Sequence, residues 1–298
     1  MTSVTACSEL SAALGEPLAG TAAAAVTYLC IEQSGPYGRE ALVESHFDAD
    51  VGSALAARSS KGGVRIQLIR RPGPHADRHA PGAPRTVLIA HTRPGLTWCE
   101  RAVISSPADL LALDFAELAA GVAPRFGVLD SSPVLLVCTN GRRDVCCAVR
   151  GRPLALELSA LHPDAVWEST HTGGHRLAPT AVSLPTGYVY GRLDVAFAES
   201  VLAATAKGTM LLDRCRGRST WSGPGQVAEL AVRELLGERD ADAVVVSAGP
   251  DGALEVSVGS RRWLVSVEQR VLEPPRAVSC GKGAVSQPAY VATSVEEL

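Results

Sequence analysis

Apolar positions along the chain fall into short continuous runs and helical stripes, and their order repeats. Residues 24–32 (AAVTYLCIE) form an apolar run with β-branched and aromatic members, the mark of a buried strand. A Gly/Pro turn over 33–38 (QSGPYG) precedes helices over 39–46 and 51–58 and a strand over 63–70. Residues 71–85 (RPGPHADRHAPGAPR) contain four prolines and predict an exposed loop without order of its own. Residues 86–104 predict two strands around Arg93-Pro94-Gly95. Residues 108–120 predict an amphipathic helix with Leu110, Leu111, Leu113, Phe115 and Leu118 as its apolar positions. Ahead of all this, residues 1–18 predict an alanine-rich helical lead-in.

The order then starts again. Residues 132–137 (SPVLLV) predict a buried strand, residues 138–152 a long polar loop, and Pro153 opens a helix through 161. A strand over 164–169, a loop over 170–176 (THTGGHR), a hairpin over 181–193 about Pro185-Thr186-Gly187 and a helix over 194–206 closed by Gly208 complete it. Strand, loop, helix, strand, loop, hairpin, helix is the element order of a thioredoxin-like α/β unit, here present twice. Residues 224–237 then predict an amphipathic helix, and residues 243–247, 253–258 and 262–271 antiparallel strands followed by a loose tail.

Composition narrows the function classes. In 298 residues, 28 basic and 31 acidic side chains give a formal charge of −3, with no basic stripe for nucleic acid. Aromatic residues are 4%, too few for a base-stacking surface. No apolar stretch reaches the ~20 residues of a membrane span, and the first thirty residues lack Lys and Arg. The expectation is a cytoplasmic protein without a membrane partner. Its eight cysteines then point to metal or redox chemistry rather than a disulfide framework.

Cys138, Cys147, His171 and His175 carry that expectation. Eight residues separate the cysteines and three separate the histidines, both pairs in loops after buried strands of the second unit. Gly173 and Gly174 disfavour a helix between the histidines and suggest a turn whose backbone lies close to something bulky, such as the sulfides of a cluster. Two thiolates and two imidazoles suit zinc, iron or an iron–sulfur cluster, and the cysteine spacing is wide for a zinc-finger knuckle. Left unliganded, the four are two free thiols and two surface histidines. Cys146-Cys147 as an oxidisable pair, hence a thiol oxidoreductase, lacks a Cys-x-x-Cys motif. His75 and His79 repeat the three-residue spacing, but with no cysteine nearby in sequence. Cys30 is expected as a small core residue, while Cys7, Cys99, Cys215 and Cys280 lack spaced partners. Trp167 and Trp221 are expected in the core or as cover.

Residues 138–151 (CTNGRRDVCCAVRG) and 171–176 (HTGGHR), with 15–22 (GEPLAGTA) and 32–38 (EQSGPYG) upstream, resemble the sucrase/ferredoxin-like family. Ser279-Cys280-Gly281-Lys282 is similar to the tail of bacterial members. The resemblance implies a thioredoxin-like ferredoxin domain with a [2Fe–2S] cluster held by Cys138, Cys147, His171 and His175. Cys147, rather than its neighbour Cys146, gives the spacing of the family. No motif places a carboxylate pair for sugar hydrolysis, so the family's name is no support for a sucrase.

The expected architecture is therefore α/β with three parts. Residues 1–128 form a thioredoxin-like unit without a cluster, residues 129–210 the ferredoxin domain, and residues 211–298 a small α+β region. The expected function is electron transfer to or from a redox partner protein. Two ferric irons and two sulfides carry two net positive charges, which two thiolates cancel. A neutral site accepts an electron more readily than a four-thiolate one, and its imidazoles can take up a proton with that electron. Arg142, Arg143, Arg150, Arg152 and Arg176 are expected to stabilise the reduced site, form a docking face, or simply lie solvated. A zinc-stabilised structural protein with the same four ligands is the alternative.

Overall fold

The computed structural model describes residues 6–73 and 79–298. Ten strands form one sheet: β1 (Thr27–Glu32), β2 (Val64–Arg70), β3 (Arg85–His91), β4 (Trp98–Ile104), β5 (Val128–Leu129), β6 (Val134–Cys138), β7 (Val166–Ser169), β8 (Ala181–Leu184), β9 (Tyr188–Tyr190) and β10 (Cys215–Arg218). Their order is β10-β9-β8-β6-β7-β2-β1-β3-β4-β5. In each half the first strand pairs parallel with the second and antiparallel with the third, which pairs antiparallel with the fourth. The halves meet where β2 and β7 run antiparallel, Ile69 opposite Ser169 and Arg70 opposite Glu168. The repeat in element order is thus a repeat in strand order and sense.

Both faces of the sheet are covered, which explains the unbroken apolar runs. On one face Leu29, Ile31, Leu68, Val87 and Ile89 pack with Leu55 of helix α3 (Ala49–Ser59) and with Leu110 and Leu118. In the second half Leu135 and Val137 pack with Leu154 and Leu158 of α5 (Val145–Leu161) and Val201 and Leu202 of α6 (Val195–Ala206). A third cluster joins the halves, with Tyr28, Cys30 and Ile69 against Leu136, Trp167 and Val182. At the seam the buried Arg70 guanidinium donates to Glu168 at 2.7 and 2.8 Å, and Tyr37 Oη donates to the Glu168 carbonyl at 3.1 Å. Such a pair, desolvated on both sides, fixes register more than it adds stability.

Several elements differ from expectation for identifiable reasons. α5 begins eight residues before Pro153, because Asp144 caps it by accepting from the Cys146 N–H at 2.9 Å. Pro153 lies inside α5 and leaves the Val149 carbonyl unpaired in the helix, where Val149 is exposed to water. The helix expected over 108–120 is a 3-10 turn at Pro107–Ala112 and a short α4 (Phe115–Ala120), capped separately by Ser106 and Asp114. The lead-in is reduced to α1 (Cys7–Ala13), with residues 1–5 outside the described set, and the helix expected over 39–46 to a single turn, α2 (Ala41–Glu44). The centre of the proline-rich loop, including His75, also lies outside it, while the His79 ring stacks on His46 at 4.5 Å.

The C-terminal part is α7 (Gly223–Leu236) against a four-stranded antiparallel sheet of β11 (Val244–Ala248), β12 (Leu254–Val258), β13 (Arg261–Ala277) and β14 (Ala284–Glu297). The tail expected to be loose is β14, paired with β13 along most of its length. Buried charges tie this part to the large sheet. Arg233 Nε donates to Glu229 Oε1 at 2.9 Å, Tyr188 Oη on β9 donates to the same carboxylate oxygen, and Arg218 Nη2 on β10 donates to Asp242 Oδ1 at 2.7 Å. The β13–β14 hairpin extends past its own sheet and brings its turn, residues 278–283, back to the start of α5. No helix among the described residues is long and apolar enough to cross a membrane.

Candidate metal centre

Cys138 ends β6, so its side chain emerges where the sheet stops and the loop begins. Its own N–H donates to the Thr180 carbonyl at 2.9 Å, and the following Thr139 N–H donates to the Ser169 carbonyl at 3.1 Å. α5 crosses directly above this point. A side chain at Gly151 would place Cβ 2.1 Å from the Cys138 carbonyl oxygen, so only glycine allows the approach that sets Cys147 over Cys138. Cys147 is therefore held by the first turn of a helix, not by a loop.

Both thiols are buried and meet His171, whose Nδ1 lies 3.8 Å from Cys138 Sγ and 3.9 Å from Cys147 Sγ. The three ligand atoms lie within 4.8 Å of one another. His175 falls outside that compact group, although its ring stands 5.3 Å from that of His171. Its buried Nδ1 has no hydrogen-bond partner among the described residues, and its Nε2 faces Asp144 Oδ2 at 3.7 Å. A buried imidazole nitrogen left without a donor or acceptor, on the ring next to that of His171, is available as a ligand atom.

The electrostatics set the two thiols apart. A hydrogen bond from Cys147 holds the Cys138 thiol well below its ordinary range against the effect of burial, and His171 and the Thr172 N–H add to it. The same hydrogen bond, with burial, pushes Cys147 up. Burial lowers His175, outweighing the opposite pull of Asp144, and favours the neutral imidazole that a metal needs. The four residues offer the two sulfur and two imidazole nitrogen donors expected of a two-cysteine, two-histidine [2Fe–2S] site, and the orphaned Nδ1 of His175 fits it.

The Thr170–Arg176 stretch is shaped by Arg216. Gly173 and Gly174 both adopt the left-handed region, with φ of 92° and 70°. The buried Arg216 guanidinium lies against this turn. A Cβ on Gly174 would lie 2.4 Å from Arg216 Nη2, and Arg216 Nη1 donates to the Gly173 carbonyl at 2.9 Å. Burial pulls Arg216 down to about 10, which still leaves it charged near neutral pH, behind Cys138.

The arginines of these loops are largely engaged. Arg143 pairs with Glu40 at 3.0 Å, Arg150 with Glu9, Arg152 with Glu168 at 3.7 Å and Arg176 with Glu16 at 2.5 Å. Two clefts nevertheless reach His171. One of about 520 Å³ is lined by Arg39, Arg65 and Arg143, and one of about 630 Å³ by Arg39, Arg143, Arg176 and Lys282 with His175 at its wall.

Sequence spacing did not find the partners of Cys146. It turns away from Cys147 toward Cys7, Asp144 and Cys280, which lie within 4.8 Å of one another. The only local signal is Asp144 itself, a capping residue two positions before a cysteine; Cys7 and Cys280 are brought in by tertiary structure alone. Cys30, Cys99 and Cys215 are buried within apolar clusters, and so is Trp167.

A comparison with curated proteins and another with solved structures gave no match. A family model described as sucrase/ferredoxin-like matches residues 18–217, which include all four candidate ligands and both halves of the large sheet. On that match, the chain belongs to the sucrase/ferredoxin-like family.

Proposed function

We propose that this protein is a one-electron carrier with a [2Fe–2S] cluster held by Cys138, Cys147, His171 and His175. The observation that carries this is the buried Cys138–Cys147 pair facing His171, with His175 Nδ1 buried and unpartnered beside it. A single tetrahedral ion draws its ligand atoms to within about 3–4 Å of one another. Because His175 lies outside the compact trio, the full set of four suits a wider, two-metal core. Such a group would supply reversible uptake of one electron.

The chain's own contribution is to hold two thiolates and two neutral imidazoles, and to keep Arg216 charged behind them. With two imidazoles in place of two thiolates, reduction should occur above the roughly −400 mV of plant-type ferredoxins and take up a proton on an imidazole. We read residues 1–128 and 129–210 as thioredoxin-like units, with β10 of the following region added to the edge of the second. The second is then the ferredoxin domain, and 211–298 its cover. The cationic clefts at His171 suit an acidic redox partner protein in the cytoplasm.

An anaerobic redox titration tests this: about one electron per chain at a potential above that of plant-type ferredoxins, abolished in Cys138→Ser. No redox step in the intact protein, or a step unchanged in Cys138→Ser, would contradict it. The compact Cys138, Cys147 and His171 trio favours a second reading, a zinc-stabilised structural protein, which predicts no redox step. A thiol oxidoreductase would keep its activity when the histidines are replaced.

A further inference from the structure

Three cysteines from distant parts of the chain converge on Asp144, beside the site already described. Cys7 opens α1, Cys146 lies in the first turn of α5, and Cys280 sits in the turn between β13 and β14. Their sulfurs form a triangle with sides of 3.6 Å (Cys7–Cys146), 3.2 Å (Cys146–Cys280) and 3.5 Å (Cys280–Cys7). Asp144 Oδ1 lies 3.8 Å from Cys7 Sγ and completes a group of four ligand atoms within 4.8 Å of one another.

The dimensions select among the uses of such a group. A disulfide needs two sulfurs at about 2.05 Å, which leaves the third without a role. A tetrahedral zinc ion with bonds of about 2.3 Å sets its sulfurs about 3.8 Å apart, so the triangle need open by only about 0.2–0.6 Å a side to hold one. The site is also organised around its donors. The Cys146 N–H and the Cys280 N–H donate to Asp144 at 2.9 and 2.8 Å, Ser279 Oγ donates to it at 2.8 Å, and Ser8 Oγ donates to Cys146 Sγ at 3.3 Å. Successive residues of a helix point about 100° apart, which is why Cys146 serves this group while Cys147 faces Cys138.

We propose that Cys7, Cys146 and Cys280, with Asp144 as fourth donor, form a closed site for a single thiophilic divalent cation, zinc. Binding releases three thiol protons to solvent and leaves a net charge of two negative units, the same as a four-cysteine structural zinc site. The ion ties α1 and the β13–β14 turn to the start of α5. It thereby fixes the hairpin that walls in His175. This site does not depend on what Cys138 and Cys147 bind.

The test is zinc and iron content per chain in anaerobically purified full-length protein, together with Cys280→Ser and Cys138→Ser. The expected result is about one zinc in the intact chain and in Cys138→Ser, and at least a tenfold loss of zinc in Cys280→Ser with iron retained. Absence of zinc from the intact chain would overturn the proposal. So would zinc that persists in Cys280→Ser and disappears in Cys138→Ser, since it would then occupy the other site. Cobalt(II) added to chelator-treated Cys138→Ser protein tests the triangle with its ligands intact. Intense thiolate-to-cobalt absorption with tetrahedral visible bands is expected, and the weak spectrum of six-coordinate cobalt would contradict it.

Discussion

Asp144 Oδ2 lies 3.7 Å from His175 Nε2, and the same oxygen accepts from Ser279 Oγ and the Cys280 N–H. One carboxylate at the N-cap of α5 thus touches a candidate ligand and clamps the C-terminal hairpin. Asp144→Asn puts an amide where two donors now converge on one carboxylate oxygen. Stability in denaturant should fall by about 1–3 kcal/mol, and proteases should cut first within 278–283. An unchanged midpoint and cleavage pattern would show that the clamp holds nothing.

Replacing His171 by Cys exchanges a neutral donor for a thiolate at the same position. The [2Fe–2S] site should survive at a lower potential, with weaker dependence on pH, because it gains negative charge and loses an ionisable imidazole. Voltammetry across the pH range decides this, and an unchanged potential would argue against His171 as a ligand.

Gly174→Ala probes the support behind the histidines. The left-handed backbone alone costs about 1–2 kcal/mol for alanine, and its Cβ meets the Arg216 guanidinium, which is fully buried and anchored on Thr21 and Gly173. His175 should be displaced, with iron lost faster to a chelator than in the parent protein. Equal rates of iron loss would place the loop's rigidity elsewhere.

Acid stability has a distinct source at the β4–β5 edge of the large sheet. Burial pushes Asp130 up, but hydrogen bonds from Ser132 and Arg101 outweigh it and hold the carboxyl down at about 2. Arg101 Nε reaches it at 2.6 Å. The ordinary value is 3.8, so the contribution is present above about pH 4 and is lost as pH falls through about 2. Solvent screening at this partly exposed pair reduces it to about 1 kcal/mol. Asp130→Asn should flatten the stability profile between these limits while changing little below them; an identical profile would contradict the assignment.

Strands such as β1 and β6 were legible because each is buried and reads as an apolar run, as in 27–32 and 134–138, whereas β5, exposed at the sheet edge, and β10, a polar Cys-Arg-Gly-Arg segment, carried no such signal. The order of elements also carried the repeat. The start of α5 was not legible, since Pro153 is the louder signal and Asp144 acts through one side-chain hydrogen bond. The tail at 284–297 mixes polar and apolar residues because β14 is an edge strand with much of its surface in water. Cys138, Cys147, His171 and His175 stood out through spacing within one unit. Cys7 and Cys280 did not, because 273 positions separate them and only the return of the hairpin brings them together.

The central claim is the cluster, and the most direct test is a visible absorption spectrum of freshly purified anaerobic protein with iron and acid-labile sulfide measured on the same sample. A red-brown protein with about two irons and two sulfides per chain, both lost in Cys147→Ser, is the predicted result. A colourless protein that stays free of iron and sulfide after anaerobic reconstitution would contradict it.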